Sequence, residues 1–373
     1  MWDSVAFDRQ GRLYGTTSGG GAFGYGTVFE MVPNAHGNWS ESVLRSFKND
    51  DPLGDDLNGG LILDARGNVF GTATDGGGPE TYGTVFEMTR RGDRWVISVL
   101  HRFGRKDKAG APLANLAMDA AGNIFGAAYS VFELSRLSTQ WKEQILHEFN
   151  GQNGDGRGAA SGLVLDQVGN IYGTTRYGGG SPVCTDGCGT VYELQPQKNV
   201  GLVTTAWRER ILHRFGFSSA DGVWPGFGQL AMDDKGSLYG VANGGKYRAG
   251  ILFKLTRAHS VPGDDDVWQE TVLYNFGGST DGVYPGGGVI LDTAGSLYGT
   301  TTAGGSPDCE CGVVYKLAPG KNGKWVYTVL HTFHGSDGAL PDANLTFGPD
   351  GKVYGTTAAG GMYGGGVVFQ IAP

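Results

Sequence analysis

The sequence predicts an all-β fold, a seven-bladed β-propeller of four-stranded antiparallel blades whose last blade has only three recognisable strands. Three observations lead there. The stretch Gly11-Arg-Leu-Tyr-Gly-Thr-Thr17, followed after a glycine-rich gap by Gly26-Thr-Val-Phe-Glu30, is the first of seven copies. Its central glycine, Gly15, returns at Gly71, Gly126, Gly173, Gly240, Gly299 and Gly355, in steps of 56, 55, 47, 67, 59 and 56 residues. A period of that length marks a repeat architecture in which each copy buries its faces against its neighbours. Each full copy also divides into four short apolar runs separated by turn residues, the pattern of small antiparallel sheets. Finally, the 68 glycines follow no three-residue period, and 39% apolar with 11% aromatic residues suit a packed body, not a collagen-like or disordered chain. Seven such sheets close most naturally into a ring. The blades then run roughly 3–47, 59–103, 114–149, 161–215, 228–276, 287–333 and 343–373, within one domain covering 1–373.

The elements follow in order. The first run of a copy ends in Asp8, Asp64, Asp119, Asp166, Asp233 or Asp292, with glycine three places later. Aspartate at the first and glycine at the fourth position favour a type I turn, so these acids read as hairpin residues and not as a row of catalytic groups. The second run is Leu-Tyr-Gly-Thr-Thr. The third carries Phe29, Phe86, Phe132, Tyr192, Phe253, Tyr315 and Phe369, a packing set between neighbouring sheets. The fourth begins at Trp39, Trp95, Trp141, Trp207, Trp268 or Trp325 and reaches a phenylalanine eight residues on. That even spacing predicts both aromatics on one face of an extended strand. Two residues before each phenylalanine stand Arg45, His101, His147, His213, Tyr274 and His331. Four histidines raise the question of metal binding. One per copy, with Arg and Tyr substituting, points instead to a hydrogen-bonded structural position, and no metal is expected. The fourth strand missing from the last blade would lie upstream of Met1 if the ring closes by strand exchange.

Composition excludes some functions. A net charge of −8 without a basic cluster argues against nucleic acid as a partner. No run approaches the 18 or more apolar residues of a membrane span. Met1-Trp2-Asp3 opens with neither the charged nor the apolar segment of a signal peptide. The four cysteines form two close pairs, Cys184 with Cys188 and Cys309 with Cys311, at the same place in their copies. Each pair reads as a disulfide closing its own loop, which indicates an oxidising compartment. The rival reading, one four-thiolate zinc site, requires two distant loops to converge.

Leu-Tyr-Gly-Thr-Thr, Gly-Gly, Gly-Thr-Val-Phe-Glu followed by Met or Leu, and Val-Leu-His-x-Phe together resemble the bacterial tandem-repeat proteins nicknamed GloVer repeats, after Gloeobacter and Verrucomicrobia. The resemblance covers essentially the whole chain. It implies export or surface anchoring, hence an extracellular, periplasmic or cell-surface location, and carries no reaction or catalytic motif. One copy departs from the pattern: the third lacks the glycine-rich loop and runs Gly126-Ala-Ala-Tyr129-Ser130-Val131-Phe132.

Function is sought on the loops joining second to third strands and on the linkers between copies, which a propeller brings to one face. The short third loop predicts a notch. Arg176 and Tyr177, with Asp155 and Arg157 on the linker, would border it on one side, and Asp75, Glu80 and Tyr82 on the other. Tyr129, on the short third segment itself, is a further candidate. Across the mouth stand Lys246, Tyr247 and Arg248, with Trp224 and Tyr284 on their linkers. Flat rings beside Arg, Asp and Asn suit sugar faces and hydroxyls, so carbohydrate or polysaccharide is the expected partner of a monomer. A glycoside hydrolase would need two carboxylates, about 5–5.5 Å apart for retention or 6.5–9.5 Å for inversion. Asp75, Glu80 and Asp155 are the acids at hand. A lyase would need a base such as Tyr177 or His334, with Arg176 neutralising a uronate. A structural or adhesive module needs none of these, and the sequence leaves catalysis open. No cofactor is expected beyond a candidate structural calcium loop at 150–156, which lacks a distal bidentate glutamate. The acidic linker 48–56 reads as a solvated loop.

Overall fold

Each copy folds as an antiparallel meander, and the aspartate turn explains its first hairpin. In the first, Ala6–Phe7 pairs with Leu13–Thr17, then Thr27–Pro33, then Trp39–Ser46. Asp8 Oδ1 accepts the backbone N–H groups of Gln10 and Arg12, both at 2.9 Å, satisfying donors the tight turn would leave bare. The same meander recurs through the chain and ends in the three strands Thr346–Phe347, Val353–Thr356 and Val368–Ile371. The protein is thus all-β, a seven-bladed β-propeller whose last blade is three-stranded. The computed structural model describes residues 4–34, 37–78, 80–104, 114–159, 161–197, 206–226, 228–258, 267–278 and 280–373. Among them, the sole helical element is a single turn at Lys321–Gly323, and no helix is long and apolar enough to cross a membrane.

Two compact units make up the chain: Met1–Glu148 with Thr346–Thr356 and Val368–Ala372, and Phe149–Leu345 with Thr357–Val367 and Pro373. In the first, Trp39 packs with Phe7, Phe29 and Tyr354, whereas Phe47 packs with Phe86, Leu57 and Leu61 of the second blade. Trp39 and Phe47 therefore point to opposite faces, against the even-spacing expectation. The reason is a β-bulge: Phe29 lies opposite Val43 but Val28 opposite Arg45, so Leu44 is unmatched and the alternation flips. The same shift occurs in every four-stranded blade. One fourth strand thereby supplies an aromatic to each of its two neighbours, as Phe103 does to Phe132 at a ring separation of 5.1 Å.

The second-strand glycine has a packing cause. Gly15 lies opposite Phe29, Gly126 opposite Phe132 and Gly173 opposite Tyr192, and in each case a Cβ would overlap the aromatic ring. In the second unit, the same cover is made by tyrosines in two blades. Tyr192 is fully buried, and among the described residues its hydroxyl has no hydrogen-bond partner. An unsatisfied buried hydroxyl costs about 1–3 kcal/mol, so Tyr192→Phe is expected to raise the urea midpoint by an amount worth about 1 kcal/mol. A lower midpoint would show that the hydroxyl is stabilising.

The second unit also holds a buried ion network. Glu193, 0% exposed, accepts from the Tyr172 hydroxyl at 2.7 Å, Arg210 at 3.1 Å and Arg257 at 3.2 Å. Both cysteine pairs are disulfides, Cys184–Cys188 and Cys309–Cys311, which removes the four-thiolate zinc reading. Cys188 belongs to the core cluster around Phe215 and Phe253.

Candidate functional site

On the second unit, the linkers between blades build one face. Each begins with an aspartate whose carboxylate is engaged locally. Asp221 accepts the N–H groups of Gly216 and Phe217, Asp281 those of Gly277 and Gly278 with the Tyr274 hydroxyl, and Asp337 that of His334 at 2.8 Å. The chain then runs beside the second strand of its own blade. Gly222–Pro225 pairs with Leu238–Gly244, Val283 bridges Ala303, Ala339 bridges Ala359, and Gly156–Arg157 pairs with Tyr177–Gly178.

The residue before each linker proline is held in the left-handed region: Trp224 (φ 49°), Tyr284 (φ 57°) and Leu340 (φ 57°). Bulky side chains rarely adopt it, and the following proline further favours extended backbone, so the conformation is imposed from outside. Main-chain bonds impose it. The N–H of Trp224 donates to Cys188 at 2.7 Å, that of Tyr284 to Ala249 at 2.8 Å, and that of Leu340 to Cys311 at 3.0 Å. The carbonyls of Tyr284 and Leu340 accept from Thr302 and Ala358. The result is three apolar side chains turned outward, Trp224 37%, Tyr284 54% and Leu340 38% exposed. Strain of this kind collects at functional positions.

Beside Tyr284, Asp342 is a carboxylate the sequence reading passed over. Its Oδ1 accepts the Thr302 hydroxyl at 3.1 Å, and burial raises its pKa above the ordinary aspartate value. The signal was present: Asp342 follows the linker proline where the two preceding linkers have Gly226 and Gly286.

The expected residues of the fourth blade do gather. The Arg157 guanidinium lies 5.5 Å from the Tyr177 ring and pairs with Asp186 at 2.9 Å, and that of Arg176 lies 5.9 Å from the same ring. A cleft of about 430 Å³ beside them is lined by Asn150, Arg157, Pro182, Thr185 and Asp186. Asp155 Oδ2 accepts the Asn150 N–H and Asn150 Oδ1 that of Gln152, so the candidate calcium loop turns these oxygens onto its own amides. Lys246 sits over the Tyr247 ring at 4.8 Å, Arg248 is a left-handed turn residue, and His334 is exposed. A second concavity of about 700 Å³ lies at the aspartate-turn ends, lined by Asp166, Gln229, Asp233, Lys235 and Arg257. Its Asp166 and Asp233 are tied to their own turns.

In the first unit, the third blade is closed by a tight turn that leaves Tyr129 67% exposed. Asp75 accepts the N–H of Gly76, Glu80 is an exposed residue with φ 59°, and Tyr82 is exposed. The acidic linker is not simply solvated. Asp51 is buried and pairs with Arg45 at 2.8 Å, and burial raises the pKa of Asp55.

The fourth-strand position of Arg45, His101, His213, Tyr274 and His331 is a hydrogen-bonding or ion-pairing one. His331 Nε2 lies 2.9 Å from Asp337, the Tyr274 hydroxyl donates to Asp281 at 2.8 Å, and His101 lies 3.6 Å from Glu143. His213 Nε2 is 3.2 Å from Asp221 Oδ1 and 3.8 Å from Glu270 Oε1. Burial pushes the Glu270 carboxyl up to about 7.

No curated protein matches the sequence. Solved structures do, 121 chains among them. An α-L-arabinanase of Penicillium chrysogenum, complexed with arabinobiose, is 13% identical with a TM-score of 0.46, over 83% of this chain and 90% of that one. PorZ, a bacterial surface component of the type-IX secretion system of Porphyromonas gingivalis, is 11% identical with a TM-score of 0.45 over 94% of this chain, which spans 44% of that protein. At these values neither likeness bears on activity. The family profile described as the Gloeobacter/Verrucomicrobia repeat matches residues 2–131 and 264–373, the larger part of the sequence, and the chain belongs to that family.

Proposed function

We propose that the protein binds carbohydrate on the linker face of its second unit, outside the cytosol, with Trp224 and Tyr284 as stacking platforms. One observation carries this reading: two exposed aromatic residues occupy the same strained linker position in successive blades. With the main chain fixed there, only the two torsions of each ring are left to order on binding, which favours contact with a flat sugar face. Asp342 and Thr302 supply an acceptor and a hydroxyl beside Tyr284, whose carbonyl accepts from the Thr302 N–H. The two disulfides support the location. A hydrolase is the weaker reading, because Asp221, Asp281 and Asp337 are each committed to loop amides, leaving Asp342 without an equivalent partner from those linkers.

The test is a polysaccharide panel with product analysis, on wild type, Trp224→Ala and Tyr284→Ala. Each substitution is expected to weaken binding about 10- to 100-fold, as for aromatic anchors, with no products released. Cleavage products would replace binding with catalysis. Binding unchanged in both variants, or absent from the wild type across the panel, would sink the proposal.

A further inference from the structure

The cluster of His213, Asp221 and Glu270 is only partly accounted for by the linker face, where Asp221 holds two loop amides and Glu270 has no role. It joins three elements of the second unit: the fourth strand Ala206–Arg214, the linker after it, and the fourth strand Val267–Asn275 of the next blade. One ligand atom from each residue falls within 4.8 Å of the others.

The single hydrogen on His213 Nε2 does not serve both carboxylates. His213 Nε2 carries at most one hydrogen, and its nearer acceptor is Asp221 Oδ1 at 3.2 Å. Glu270 Oε1, at 3.8 Å, is buried and accepts no hydrogen bond among the described residues. Leaving a carboxylate oxygen so placed is costly. The neighbouring seam shows what balance looks like: there Tyr274 donates to the Asp281 carboxylate at 2.8 Å and Tyr327 to the Asp281 carbonyl at 2.6 Å.

We propose that His213, Asp221 and Glu270 bind one divalent transition-metal ion of the zinc class. A tetrahedral zinc with ligands at about 2.0–2.2 Å has ligand-to-ligand edges of about 3.4 Å, and the observed separations of 3.2 and 3.8 Å bracket that edge. One imidazole with two carboxylates suits zinc, cobalt or manganese; calcium prefers six or more oxygens. The Asp221 oxygen facing the cluster is oriented by its partner oxygen, which the amides of Gly216 and Phe217 hold. His213 and Glu270 keep 19% and 16% exposure, leaving approach for the ion and a water as fourth ligand. The ion would staple two blades and their linker.

The experiment strips the full chain with EDTA, titrates it with Zn²⁺ and with Co²⁺, and reads metal content, the visible Co²⁺ spectrum and Tm. Glu270→Gln keeps the shape and removes the charge; His213→Gln removes the nitrogen. His331→Gln is the control, since its Asp337 partner faces no third ligand among the described residues. Wild type and His331→Gln are expected to hold one ion per chain more than Glu270→Gln and His213→Gln, with a four-coordinate Co²⁺ spectrum and a Tm raised by metal. Equal metal content in Glu270→Gln and wild type, or no gain of Tm and no ion in the wild type, would overturn the proposal. If His213→Gln does not fold in EDTA, Glu270→Gln decides alone.

Discussion

Glu193→Ala is expected to destabilise the protein by about 3–5 kcal/mol, read as a fall in the urea midpoint at unchanged slope. Three donors converge on this carboxylate, and truncation removes the acceptor they share, although the Tyr172 hydroxyl keeps Asp166 at 3.2 Å. The most serious consequence falls on Arg210, only 12% exposed, whose charge in a low-dielectric seat would lose the Glu193 carboxylate. Arg257, 36% exposed, can turn to water and contributes less. Glu193→Gln keeps an acceptor for Tyr172 and should fall between wild type and the alanine variant. The fifth and sixth blades solve the same position differently: Lys254 and Lys316 lie about 5 Å over the rings of Tyr239 and Tyr298. A loss below about 1 kcal/mol in Glu193→Ala would mean the network behaves as a surface ion pair.

Gly126→Ala should cost about 1–3 kcal/mol for a different reason, overpacking. Gly126 does not have a positive φ, so alanine meets no backbone penalty. Its Cβ would overlap the fully buried ring of Phe132 and approach Leu116. Because the clash has an identifiable partner, Gly126→Ala with Phe132→Leu should recover part of the loss, a coupling that a thermal-melt double-mutant cycle measures directly. Purely additive effects would show that the ring is not what the glycine accommodates.

The hairpins, strand order and short last blade were legible because they follow from local chemistry, such as aspartate and glycine three places apart. The faces of Trp39 and Phe47 were misread because a bulge at Leu44 changes parity while leaving sequence spacing untouched. Arg157, Tyr177 and Arg176 could be grouped from their repeat positions, and they lie together. Trp224 and Tyr284 were singled out as rings, but their left-handed backbone depends on bonds to Cys188 and Ala249, distant in sequence. Asp342 and Glu270 escaped notice for a related reason: what distinguishes them is burial beside a partner from another segment.

The linker strap has an evolutionary corollary. Trp224, Tyr284 and Leu340 are fixed through N–H groups that every residue except proline possesses, while their side chains point away from the bonds that hold them. Folding there uses the main chain and not a particular side chain, its one demand being a residue that accepts left-handed backbone, which disfavours proline and the β-branched residues. Within that limit such positions can diversify, much as hypervariable loops do on an antibody framework, and a library at 224, 284 and 340 that omits proline and the β-branched residues would explore new specificities on an unchanged scaffold.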